Sequence, residues 1–191
     1  IISFIPFEKP IIKEAEVIQA HEYLSRFSKE IEVIVTFGGT IGEMFDFTVL
    51  DGNLDHFNFQ NIGFLICGGG DKYNFYKDKY KAYKNVVFTG RIHSSVLYQL
   101  FLYSDILWAP YKFMKNFDGH LPNKFMEYLS SGKPIITTLR GHAQHILTAE
   151  NCGSVYSDKT TFSNALLEMI DDKSKIHSMG CNSSSAFDEN F

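Results

Sequence analysis

The chain has 191 residues, with 18 Lys plus Arg against 22 Asp plus Glu and a formal charge of −4. At roughly 100–200 residues per domain this allows one large domain or two very small ones. Apolar residues at 45% and charged residues at 21% exclude a disordered, collagen-like or coiled-coil chain. The acidic balance argues against a generally basic nucleic-acid binder. Cys67, Cys152 and Cys181 are widely spaced and form no CxxC pair, so neither a zinc knuckle nor a disulfide framework is indicated.

Taken in chain order, the opening IISFIPF is too short and lacks the basic start of a signal peptide. No apolar run approaches the roughly 18 residues that span a bilayer. The sequence begins without Met, and the expectation is a segment of a longer protein. Residues 13–27 have helical spacing, with Ala15, Ile18, Tyr23 and Phe27. Then come short β-branched and apolar runs: IEVIVTF (31–37), IGFLIC (62–67), NVVFTG (85–90), ILWAP (106–110), KPIITT (133–138) and GSVYS (153–157). Most are almost continuously apolar, as strands buried on both faces are. Between them, residues 94–104, 123–130 and 161–170 carry apolar residues at helical spacing. This alternation predicts an α/β domain, a Rossmann-like parallel sheet of about six strands flanked by helices. Residues 181–191, rich in Ser and Asn, read as a tail that frays.

Ligands of such sheets bind beyond the carboxyl ends of the strands, and three segments fall there. FGGTIGE (37–43) follows the first strand. Its adjacent glycines, Gly38 and Gly39, with Thr40, allow a tight turn and a close backbone approach to a phosphate. It matches neither GxGxxG nor a P-loop. CGGGD (67–71) is explained by a tight strand-to-helix turn without a ligand. The third segment, FDGHLPNKFMEYLSSGKPIITT (117–138), is the most informative. Pro122 suits a helix start, where free N–H groups and the positive dipole end make a natural anion site. Lys124 sits in that first turn, where a cation is disfavoured by roughly 0.3–1 kcal/mol unless an anion offsets it. Glu127 follows one turn later, so both side chains can reach the same side. Phosphate plus hydroxyl recognition is the expectation; the alternative is a surface Lys–Glu pair.

LPNKFMEYLSSGKPIITT resembles the nucleotide-sugar-binding segment of retaining glycosyltransferases of the GT-B fold, the glycogen-synthase-like group with its bacterial surface-polysaccharide members. NVVFTGRIHSSVLYQLFLYSDILWAP, IVTFGGTIGE and FLICGGGD are similar to further pieces of the same C-terminal half, and their order and spacing agree. The resemblance implies one half of a GT-B fold, with residues 1–12 as the crossing from the other half and 13–180 as the donor-binding domain. It implies a nucleotide-diphosphate sugar as donor and neither metal nor other cofactor. The acceptor would be a glycan or a lipid-linked sugar, placed by an N-terminal half outside this sequence. A cytoplasmic location follows, with peripheral contact at the inner face of a membrane and no nucleic acid.

Residue by residue, Glu127 would hold the ribose hydroxyls, and Asn123 and Lys124 at the helix start would neutralise the diphosphate. Arg91 would stack beside the base. Gly119 stands where many members have a glutamate that touches the donor sugar, with Asp118 and His120 beside it. Gly39 and Phe45 stand where Arg and Lys are common in the first glycine loop, and Gln144 where Glu is common. Rival readings are a sugar-nucleotide epimerase of the same fold and a non-catalytic nucleotide-binding module. His142 and His145 could share a helical face but have no third ligand at metal spacing. Tyr73, Tyr76, Tyr80 and Tyr83 are expected to pack on the sheet, with the lysines around them solvated; membrane contact is the alternative.

Overall fold

The computed structural model describes residues 10–112 and 121–191. Six strands form one parallel sheet: β1 (Val33–Gly38), β2 (Ile62–Cys67), β3 (Val86–Gly90), β4 (Ile106–Ala109), β5 (Ile135–Thr137) and β6 (Gly153–Val155). Their order is β3-β2-β1-β4-β5-β6, with Val35 opposite both Phe64 and Ile106. The chain order reverses between β1 and β4, the topological switch point of a doubly wound sheet. β2 and β4 are buried at every position, which accounts for their unbroken apolar sequence.

Helices cover both faces: α1 (Glu14–Leu24), α2 (Leu54–Phe59), α3 (Tyr73–Tyr80), α4 (Ser94–Tyr103), α5 (Asn123–Ser130), α6 (His142–Ala149), α7 (Lys159–Ile170) and α8 (Lys173–Asn190). Trp108 anchors the larger core, edge-on to Phe64 and Phe47 and tilted against Phe162, and its indole N–H donates to Tyr156 Oη at 2.9 Å. A second cluster, with Ala20, Phe27, Leu65, Cys67, Val96 and Leu100, lies under α1 and α4. There α1 packs on α4, where Tyr103 and His21 share a 3.0 Å hydrogen bond.

The tyrosines of α3 behave as expected of a sheet-packing face. Tyr76 and Tyr80 are buried, and Tyr80 Oη donates to Phe47 O and Asp51. Cys67 and Cys152 are buried free thiols and Cys181 is an exposed one.

The expectation of a frayed tail is corrected. Residues 181–190 continue α8, an 18-residue helix whose Asp172 N-cap accepts from Ser174 N at 2.8 Å. Its buried face is Met179, Gly180, Ser183 and Ala186. Three of these four are small, so the helix carries no apolar stripe to read. Their smallness permits close approach: a Cβ on Gly180 would lie 2.6 Å from Gly132 O. Ser183 Oγ donates to Lys133 O at 2.9 Å. The six-residue α2 likewise escapes periodicity, burying only Leu54 and Phe57.

Candidate donor-binding face

The carboxyl ends of β1, β2 and β3 deliver the two glycine loops side by side. Gly39 N donates to Cys67 O (2.9 Å), Ile41 N to Gly69 O (2.8 Å) and Gly68 N to Gly90 O (3.0 Å). The loops thus extend the β1–β2 ladder past the sheet edge. Gly68, at φ +124°, is a contact that only glycine permits, because a Cβ there would run into the Gly39 carbonyl. A packing role for CGGGD is what this geometry provides. Gly38 and Gly39 spend their N–H groups internally, Gly38 N on Tyr128 Oη at 2.9 Å. Thr40 is exposed at the loop tip.

α5 begins beside these loops. Pro122 is its N-cap, one position before the first helical residue, and no side chain caps the helix. The N–H groups of Asn123 and Lys124 therefore have no intrahelical carbonyl. Asn123 is exposed. Tyr128 is wholly buried and ties the helix to the sheet, accepting from Gly38 N and donating to Trp108 O at 3.3 Å.

Lys124 turns beneath the first glycine loop. Its ammonium donates to Gly38 O and lies over the rings of Phe37 (4.8 Å), Phe45 and Tyr128 (both 5.6 Å). A Cβ on Gly39 would collide with Lys124 Nζ, so the glycine at that position is the space this lysine occupies. Burial pulls the Lys124 pKa down to about 8, against upward pulls from Glu127 and Cys67. The same burial raises the Glu127 carboxyl, and Lys124 partly offsets it. Glu127 is partly buried, and its charge helps raise the phenols of Tyr98 and Tyr111, behind burial as the main cause. Lys124 and Glu127 thus sense each other, but the lysine is engaged by the loop and its rings, which departs from the alternative of a surface Lys–Glu pair.

Arg91 is exposed just past β3, and its stem lies along the second glycine loop, with Cγ 2.9 Å from where a Gly69 Cβ would stand. The fold therefore gathers Gly38, Gly39, Thr40, Arg91, Pro122, Asn123, Lys124 and Glu127 at the carboxyl edge of the sheet. Gly119 and His120, with Asp118, lie outside the described residues. Sequence reasoning missed Tyr128 as the tie between α5 and the loop, although it stands in the quoted motif. It also missed Glu43 at the end of the first glycine loop, which bridges Lys72 (2.6 Å) and Lys112 (3.1 Å). No local signal joins those three residues.

His142 and His145 are both exposed on α6. Among the described residues no group of three or more His, Cys, Asp or Glu is placed to hold a metal, and no helix is long and apolar enough to cross a membrane. Two clefts of 510 and 590 Å³ open near the amino ends of the strands, one lined by Arg26, Lys84 and Val86, the other by Glu32, Lys133 and Lys173. Neither coincides with the face described above.

No curated protein matches the chain. Solved structures do. Anabaena HepE, solved in complex with UDP and glucose, superposes with a TM-score of 0.70 at 14% identity, over 94% of this chain and 49% of HepE. The C-terminal domain of LpcC, a glycosyl transferase group 1 family protein from Francisella tularensis, gives 0.67 at 17% identity over 94% of both chains. TarM from S. aureus, solved with fondaparinux, α-GlcNAc-glycerol and UDP, gives 0.69 at 11% identity over 95% of this chain and 40% of TarM. The chain thus spans about half the length of HepE, and its fold is that of one half of a GT-B architecture. The family profile described as "Glycosyl transferases group 1" matches residues 49–172, from the turn before α2 to the start of α8. On that match, and on a six-stranded parallel sheet with its glycine loops and α5 in the expected places, the chain belongs to the glycosyl transferases group 1 family.

Proposed function

We propose that this chain is the donor-binding half of a retaining glycosyltransferase. It would take a nucleotide-diphosphate sugar and pass the sugar to a glycan or lipid-linked acceptor. The observation that carries the reading is the meeting of α5 with the two glycine loops at the switch point. An uncapped helix start, a partly buried carboxylate one turn later and an exposed guanidinium converge on one open face.

Each part has a chemical task. Glu127 accepts two hydroxyl protons from the ribose, a role its carboxylate performs while ionised. The free N–H groups of Asn123 and Lys124 hold phosphate oxygens with the helix dipole behind them. In the transfer step the bond from the anomeric carbon to the β-phosphate oxygen breaks, a glycosidic bond forms to the acceptor hydroxyl oxygen, and that hydroxyl's proton passes to the departing diphosphate oxygen. The electron pair stays on the diphosphate, so stabilising that leaving group is the main electrostatic requirement. Lys124, held close beneath the loop, adds a positive charge there. Arg91 offers a flat cation for the base to stack on.

HepE and TarM were both solved with UDP, which makes UDP the first probe. Titration calorimetry of the chain with UDP and with uridine tests the reading. Binding of UDP that is much tighter than that of uridine, and weakened by Glu127→Gln, is expected. Equal affinity for the two ligands refutes the diphosphate assignment.

A further inference from the structure

We propose that Lys72 and Lys112 form a phosphate seat beside the first glycine loop, and that Glu43 occupies it in the absence of ligand. The inference rests on the donor-binding reading and names where one of the donor's phosphates is held. The first glycine loop, residues 37–43, carries no basic residue and ends in an acid. Lys124 is committed beneath that loop, with its ammonium on Gly38 O among three rings. The solvent-facing positive charge of this rim comes instead from two distant positions, one after β2 and one after β4.

Both lysines are placed by backbone bonds to the loop, independently of Glu43. Lys72 N donates to Ile41 O at 3.0 Å, and Lys112 N donates to Met44 O at 2.8 Å. The second anchor is reinforced by the antiparallel bridge between Phe45 and Tyr111, whose rings stand 4.7 Å apart. Glu43 then meets one ammonium with each oxygen, Lys72 at 2.6 Å through Oε1 and Lys112 at 3.1 Å through Oε2. Two ammonium groups gripping adjacent oxygens of one anion is an arrangement a phosphate reproduces.

The seat is open, with side-chain exposures of 41%, 43% and 69% for Lys72, Lys112 and Glu43. Exposed ion pairs of this kind hold weakly, so Glu43 is displaceable. Its presence keeps the lysines gathered, and its departure leaves two positive charges at the end of the first glycine loop.

Calorimetry with inorganic pyrophosphate and with UDP on the wild-type chain and on Lys72→Ala, Lys112→Ala and Glu43→Gln tests this. All three positions are exposed, and melting curves verify that each variant folds. Lys72→Ala and Lys112→Ala are expected to weaken both ligands about three- to tenfold, and Glu43→Gln to tighten them about threefold. Adding Lys72→Ala to Glu43→Gln should abolish the gain. Wild-type-like affinity in both lysine variants, or no gain in Glu43→Gln, overturns the seat while UDP binding itself keeps the donor reading. Pyrophosphate binding that needs the lysines, in a chain indifferent to UDP, supports the seat and overturns the donor reading. A chain that binds neither ligand overturns both.

Discussion

Lys124→Met should stabilise the unliganded protein while damaging its affinity for a nucleoside diphosphate. Burial lowers the Lys124 pKa from 10.5 to about 8. At about 1.4 kcal/mol for each tenfold change in proton affinity, that disfavours the charged form by roughly 3 kcal/mol. Below pH 8 the folded protein carries this charge at that cost, with the pulls from Glu127 and Cys67 as partial compensation. Methionine has a similar length, and a thioether suits the aromatic surround. Replacement is therefore expected to gain about 1–3 kcal/mol at pH 7. The pH dependence follows from linkage. Between the folded value near 8 and the unfolded 10.5, the unfolded chain binds more protons, so this group's contribution to stability rises with pH. From pH 7 to pH 10 the wild type should gain about 2.5 kcal/mol relative to the variant. Subtracting the two proteins cancels groups that do not interact with Lys124, and the Cys67 thiol, which burial pushes up to about 12, stays neutral in both folded proteins over this range. Urea unfolding at pH 7, 8, 9 and 10 provides the measurement. A difference that stays flat with pH, or a variant less stable than wild type by more than about 1 kcal/mol, would refute the reasoning. UDP affinity of the variant should fall a few-fold at pH 7, since the committed ammonium acts on the phosphates by its charge through the loop and not by a direct hydrogen bond. In the wild type that affinity should decline as pH rises through about 8, where the lysine discharges.

Glu127→Gln is expected to reduce affinity for UDP more than that for 2′-deoxy-UDP, which keeps one of the two hydroxyls, with no loss of melting temperature, because burial already disfavours the ionised carboxyl; a drop of several degrees without ligand would make it a structural partner. Gly68→Ala should lower stability by about 2 kcal/mol or more, since its φ of +124° is strained for alanine and the new Cβ meets the Gly39 carbonyl; an unchanged urea midpoint contradicts this. Asp105, which accepts Ile34 N–H at 2.7 Å, has its carboxyl raised by burial, so its contribution to stability diminishes as pH rises above 3.8. Asp105→Asn should therefore gain on the wild type between pH 4 and pH 7, and parallel pH profiles of the two proteins would count against it. The 191-residue chain is expected to bind UDP but transfer no sugar, because acceptor positioning, worth about 7–11 kcal/mol, is proposed to come from residues outside it; robust transfer by this chain would overturn that division.

The apolar runs at 31–37, 62–67, 85–90, 106–110, 133–138 and 153–157 determined the sheet by themselves. Strands buried on both faces must be apolar nearly throughout, and that signal is local. LPNKFMEY likewise placed α5, with its start at Asn123 and its apolar face on Phe125 and Leu129. Local pattern also put Lys124 and Glu127 one turn apart. It could not decide where the ammonium would go, because the pocket under the first loop is made by Phe37, Phe45 and the vacancy at Gly39, 79 to 87 residues earlier in the chain. The same limit hid the Glu43 bridge, whose lysines follow β2 and β4 and meet only because those strands flank β1 in the sheet. It hid α8 for a different reason. A helix that buries Gly180, Ser183 and Ala186 against Gly132 and Lys133 is selected by closeness of approach, and small residues leave no hydrophobic period to read. Periodicity reports how much apolar surface an element hides; which charge faces which is set by strand order, and strand order exists only in the folded sheet.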